Sequence, residues 1–155
     1  MEENQKVRIL YLDDEVNNLE SFKANFRKVY EIYTAETAIE AMQLLKDHEI
    51  EIIITDQRMP NTTGVEFLES VIEKYPDPIR MLLTGYADIE AVIDAINLGK
   101  IYHYTTRPFN ADELKITIDK AYEVYSLRKE NKELMKSLLQ VNSQLEFMLR
   151  QKLIS

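Results

Sequence analysis

Five short apolar runs, each followed by a stretch with apolar residues every three or four positions, most restrict what this chain can fold into. Val7–Leu12, Tyr30–Ala35, Ile50–Thr55, Ile79–Leu83 and Ile101–Thr105 have the length and composition of strands. After the first, Val16, Leu19, Phe22 and Phe26 recur at helical spacing; after the second, Ile39, Met42 and Leu45. Val65, Leu68, Val71 and Ile72 follow the third, and Ile89, Val92, Ile93 and Ile96 the fourth, with Gly99 as C-cap. Strands alternating with helices need right-handed crossovers, and so imply an α/β fold with a mainly parallel, doubly covered sheet.

The last third of the chain obeys a different rule. From Ala111 onward no Gly or Pro occurs for about 40 residues, and a continuous helix of that length runs about 60 Å, further than one domain is wide. Leu114 and Ile118 can cover the sheet, but the remainder must leave the globule. Val124, Leu127, Asn131, Leu134, Leu138, Val141, Leu145 and Met148 fall in alternating steps of three and four. That is a heptad seam, with Val124, Asn131, Leu138 and Leu145 at a and Leu127, Leu134, Val141 and Met148 at d. Asn131 at an a position favours a parallel two-stranded pairing, and Glu123 at g can meet Arg128 at the following e. The expectation is a parallel homodimer; a single helix folding back on its own domain is the plainer alternative. The helical pattern runs to the last residue, which leads us to expect a fragment of a longer protein, a free-standing form being the other possibility.

Composition narrows the function. A length of 155 residues suits one domain with an appendage, and 19 Lys and Arg against 27 Asp and Glu give a net charge of −8. That balance argues against nucleic-acid or anionic-membrane partners. The absence of cysteine excludes disulfides and thiolate metal sites, and two histidines, His48 and His103, are too few for a histidine-rich metal centre. No apolar run approaches a membrane span, and Met1-Glu2-Glu3-Asn4 is no secretory signal, so a cytoplasmic location is expected.

The chemistry lies in three aspartates just past strand ends, Asp13 and Asp14 after the first and Asp56 after the third. In a doubly wound sheet of order 2-1-3-4-5 those strands are neighbours, and ligands bind where the strand order reverses. Three carboxylates gathered there call for a divalent cation, and Mg²⁺ suits hard oxygen ligands beside a phosphate. Thr84, ending the fourth strand, offers a hydroxyl, and Arg107, ending the fifth, a positive charge. Metal, hydroxyl and cation make a shell for a phosphoryl group, with Asp56 as candidate nucleophile. Taken alone, Asp14 could instead cap the helix that starts near Glu15.

The motifs Ile9-Leu10-Tyr11-Leu12-Asp13-Asp14-Glu15, Ile53-Ile54-Thr55-Asp56-Gln57-Arg58-Met59-Pro60 with Gly64, Leu83-Thr84-Gly85, and Tyr104 through Pro108-Phe109 resemble the receiver domain of two-component response regulators over about residues 6 to 122. The resemblance implies a flavodoxin-like fold with Asp56 as phosphoacceptor, taking its phosphoryl group from a sensor histidine kinase or histidine phosphotransfer protein. It implies Mg²⁺ held by Asp14, Asp56 and the backbone carbonyl of Arg58, with Asp13 acting through water. Thr84 and Tyr104 would form the switch, and Arg107-Pro108 would be a cis peptide. The protein would catalyse only its own phosphorylation and dephosphorylation. Bulk at Arg58 and Tyr86, flanking the path of attacking water, is expected to slow dephosphorylation. The expected organisation is a receiver over 5–122 and a coiled coil over 123–155 continuous with the fifth helix.

One departure stands out. Receivers usually carry lysine where this chain has Arg107, and a forked guanidinium is not equivalent to an ammonium at a crowded phosphate. A phosphorylation-independent pseudo-receiver serving as a dimerisation scaffold is the alternative that this residue favours. A phosphohydrolase would need a general acid beside Asp56, which Gln57-Arg58 does not supply, and a flavin binder would need phosphate-binding loops that are not evident.

Overall fold

The computed structural model describes residues 5–85 and 89–154; Tyr86 lies outside them. The elements alternate as β1 (Arg8–Leu12), α1 (Val16–Phe26), β2 (Glu31–Ala35), α2 (Ala38–Asp47), β3 (Ile52–Thr55), α3 (Gly64–Ile72), β4 (Ile79–Thr84), α4 (Ile89–Asn97), β5 (His103–Thr106) and α5 (Ala111–Ile154). All strand pairs are parallel and the order is β2-β1-β3-β4-β5, the expected doubly wound sheet. Strand boundaries fall within one or two residues of the apolar runs.

Because side chains alternate across a strand, each strand feeds two cores. Ile9, Tyr11, Ile52, Ile54 and Met81 face Phe22, Phe26, Leu114 and Ile118, so α1 and α5 cover one side. Leu10, Leu12, Ile53 and Leu82 face Ala41, Leu45, Leu68 and Val92, so α2, α3 and α4 cover the other. Burying each large aliphatic side chain stabilises by about 1.5–3 kcal/mol.

Local signals set the helix ends. The Thr63 hydroxyl accepts from Glu66 N and the Glu66 carboxylate accepts from Thr63 N, a capping box that starts α3. Gly99, at φ 73°, closes α4, with Lys100 N donating to Ala95 O and Gly99 N to Ile96 O. The N-cap of α1 is Glu15, not Asp14, so the capping reading of Asp14 is not realised.

The 44-residue α5 is about 66 Å long at 1.5 Å per residue. Leu114, Ile118, Ala121 and Tyr125 root it in the core. Beyond them Lys129 pairs with Glu49 at 3.8 Å and Lys132 with Asp77 at 3.0 Å, on the same side of the helix. At about 100° per residue, Leu127, Leu134, Leu138 and Leu145 lie on the opposite side, and all four are exposed. Val124 differs from the rest of the proposed seam: it is half-buried and packs against the domain core, because the helix has not yet cleared the globule. Arg128, expected to meet Glu123 across a dimer, lines a cavity of about 160 Å³ with Glu49, Asp77 and Tyr125 on the domain side. No helix among the described residues is long and apolar enough to cross a membrane.

Candidate functional site

The β1–β3 register pairs Leu12 with Thr55, so the residues that follow leave the sheet side by side. Asp56 N donates to Leu12 O at 2.9 Å and Asp13 N to Ala35 O at 3.1 Å, fixing both exits. One carboxylate oxygen each from Asp13, Asp14 and Asp56 lies within 4.8 Å of the others. Asp13 is fully buried, Asp56 nearly so and Asp14 exposed, which gives the cluster a floor and an open mouth. A set of hard oxygen donors this close fits a divalent cation such as Mg²⁺.

The next two strands supply the other side. Thr84 ends β4, is buried, and pairs in register with Thr106 of β5. Arg107 N donates to Thr84 O at 2.8 Å, and the Arg107-Pro108 peptide is cis, in agreement with the resemblance. The Arg107 side chain turns back across the sheet edge. Its Nη2 donates to Tyr11 OH at 2.9 Å and to Asp13 Oδ2, and stands 3.5 Å from Asp56 Oδ1. Tyr104 is half-buried on β5 and packs toward the core shared with α3 and α4, its ring 6.2 Å from that of His103. Arg58 is exposed in the loop after β3.

Three carboxylates around one guanidinium leave negative charge uncompensated. Burial, with Asp13 and Asp14 adding to it, pushes Asp56 up to about 6 against the opposing pull of Arg107 and the Gln57 amide. Burial alone would lower Arg107, but Tyr11, Asp13 and Asp56 around it raise it above its ordinary value. Burial likewise pushes the Tyr11 phenol far above its usual range, so its hydroxyl keeps the proton it donates to Asp13 Oδ2 at 2.8 Å.

The structure thus brings together Asp13, Asp14, Asp56, Thr84 and Arg107. Two participants were not singled out from the sequence. Tyr11 shares a strand face with Asp13, two residues away, and a polar tip on a buried strand was the available signal. Gln57 is buried and its Oε1 accepts from Val65 N at 2.9 Å, tying the loop after Asp56 to the start of α3; nothing in the local sequence distinguishes that contact from an ordinary turn.

Comparison with known proteins bears on the same residues. Residues 9–119 match the response regulator receiver domain. The chain belongs to the response regulator receiver family. Receivers of two-component systems are phosphorylated by histidine kinases and bind Mg²⁺ at an acidic pocket, and the Asp13-Asp14-Asp56 group can hold such an ion. The receiver is 39% identical over 122 residues to the hydrogenase transcriptional regulatory protein HoxA of Bradyrhizobium diazoefficiens, covering 79% of this chain and 25% of that one. It is 29% identical over 132 residues to the regulatory protein AtoC of Escherichia coli, covering 84% and 28%. The chain therefore spans about a quarter of the length of these curated relatives. Among solved structures, a protein described as an adenylate cyclase from Rhodopirellula baltica superposes with a TM-score of 0.81 at 28% identity, over 84% of this receiver and 98% of that chain. NtrX from Brucella abortus superposes with a TM-score of 0.77 at 25% identity, over 84% and 30%.

Proposed function

We propose that this receiver is activated by phosphorylation of Asp56 and passes the signal to a parallel dimer formed by the outer part of α5. The observation that carries the reading is the gathering of Asp13, Asp14 and Asp56 oxygens within 4.8 Å beside Arg107. A carboxylate oxygen of Asp56 attacks the phosphorus of a phosphohistidine. The P–N bond breaks, its electron pair stays with the imidazole, and an acyl phosphate remains on Asp56. Mg²⁺, when bound, supplies charge neutralisation between the carboxylates and the phosphoryl oxygens.

The chain's own residues divide the rest of the work. Asp14 and Asp56, with the Arg58 backbone carbonyl, hold the cation. Asp13 would act on the cation through water, as the resemblance implies; its Oδ1 accepts from Glu15 N at 3.0 Å and its Oδ2 from Tyr11 and Arg107. The Thr84 hydroxyl turns to a phosphoryl oxygen, Tyr104 changes rotamer on the α4 side, and the surface beside α5 is remodelled, a shift between two populations. Bulk at Arg58 and Tyr86 slows hydrolysis of the acyl phosphate. The protein catalyses only its own phosphorylation and dephosphorylation.

The dimer reading is supported by the seam from Leu127 to Met148, which is apolar except at Asn131, exposed along its length and turned away from the domain. Acetyl phosphate with Mg²⁺, followed by intact mass, tests the acceptor: one added phosphoryl group that is lost in Asp56→Asn is expected. A chain that never gains mass while remaining a dimer supports the alternative, a pseudo-receiver scaffold, which arginine in place of lysine at position 107 favours.

A further inference from the structure

We infer that Tyr11 is the positioning residue of Arg107, holding its guanidinium on Asp13 so that Asp56 stays open to metal and phosphoryl group; this rests on the reading of Asp56 as acceptor. The Tyr11 ring is buried among apolar side chains, 4.6 Å from that of Phe22. A buried phenol needs partners for its hydroxyl. Tyr11 finds two, both in the site: it donates to Asp13 Oδ2 at 2.8 Å and accepts from Arg107 Nη2 at 2.9 Å.

Arg107 Nη2 also reaches Asp13 Oδ2, so the three groups close a ring. That ring is fixed from outside at two points. Glu15 N donates to Asp13 Oδ1 at 3.0 Å and sets the carboxylate plane, while Arg107 N donates to Thr84 O at 2.8 Å and sets the origin of the side chain. The guanidinium is thereby held at 3.5 Å from Asp56 Oδ1, closer to Asp13 than to the acceptor.

A lysine ammonium is a compact point charge and needs no such guide, whereas a planar fork has an orientation to control. The Tyr11 hydroxyl supplies that control, which phenylalanine in the same space would not. Without it, the guanidinium is free to swing onto Asp56, where it competes with the cation and blunts the nucleophile. Tyr11 thus adapts the site to arginine in place of lysine.

The test is a double-mutant cycle on the full chain, reading Mg²⁺ affinity by calorimetry without phosphodonor, and phosphorylation rate with acetyl phosphate. Tyr11→Phe is expected to weaken Mg²⁺ binding and slow phosphorylation by about tenfold, the scale of one hydrogen bond to a charged group. On top of Arg107→Lys, the same change is expected to cost less than about twofold, because the fork is gone. Equal losses in both backgrounds would assign Tyr11 a merely structural role and overturn the inference, as would no loss in either. If the unsubstituted chain takes no phosphoryl group, the acceptor reading fails by itself, and the Mg²⁺ cycle still decides the role of Tyr11.

Discussion

Gly64 lies directly behind the backbone carbonyl of Asp56: a Cβ added there collides with that oxygen and stands 2.7 Å from Leu82 Cδ2. The first residue of α3 is thus packed against the last residue of the carboxylate cluster. Gly64 N donates to Gln57 O at 3.0 Å, which holds the approach in place. Gly64→Ala forces either α3 or Asp56 to move. We expect a loss of about 1–3 kcal/mol in stability, the range for overpacking, together with weaker Mg²⁺ binding. Urea unfolding and calorimetric titration of the same variant check both.

Asp56 makes the metal-free protein sensitive to pH. Its carboxyl is pushed up to about 6 in the fold, against about 3.9 in an unfolded chain. A group raised on folding contributes stability that is complete below about pH 4 and is lost as pH rises through about 6. Partial solvent screening reduces the loss to about 1–2 kcal/mol. Asp56→Asn should therefore be the more stable protein near pH 7 without metal, with the difference shrinking toward pH 4. Mg²⁺ should narrow the gap by stabilising the parent alone. Urea unfolding across that range, with and without Mg²⁺, decides it.

The seam residues should govern association and leave the domain intact. Leu134 and Leu138 are 60% and 54% exposed, so Leu138→Glu removes no packing from the receiver. The expected result is a monomer by sedimentation velocity with an unchanged unfolding transition of the domain. Asn131→Leu should act in the other direction, tightening association while relaxing the preference for two strands. An unchanged sedimentation coefficient for Leu138→Glu would count against the dimer.

Two kinds of contact root α5, and they should differ in strength. Ile118 is fully buried, and Ile118→Ala should cost about 2–5 kcal/mol. Lys132 and Asp77 meet at the surface, where a pair is worth less than about 1 kcal/mol. Lys132→Ala should accordingly be near neutral, with the small effect erased by salt. Thermal unfolding at low and high ionic strength separates the two.

Much of the fold was legible because burial imposes periodicity. Ile52-Ile53-Ile54 had to be a strand covered on both faces, and Leu114 and Ile118 had to face a sheet, whatever their exact neighbours. The acidic cluster was legible because Asp13, Asp14 and Asp56 follow strand ends, and a parallel sheet delivers those ends to one edge. The outer helix announced its apolar stripe in the same way, since Leu134, Leu138, Val141 and Leu145 repeat with the turn of a helix.

Sequence alone therefore determined which residues are strand and helix, that the outer helix carries an apolar stripe, and which carboxylates share an edge, because those follow from repeat period and strand polarity. Only the tertiary structure decided that the Tyr11 hydroxyl meets Arg107, 96 positions away, that Gly64 presses on the Asp56 carbonyl, and that Val124 packs against the domain core. The reason is geometric. A period says which way a side chain faces but not how deep its element sits or how far a neighbour's side chain reaches, and those distances exist only once all the layers are packed.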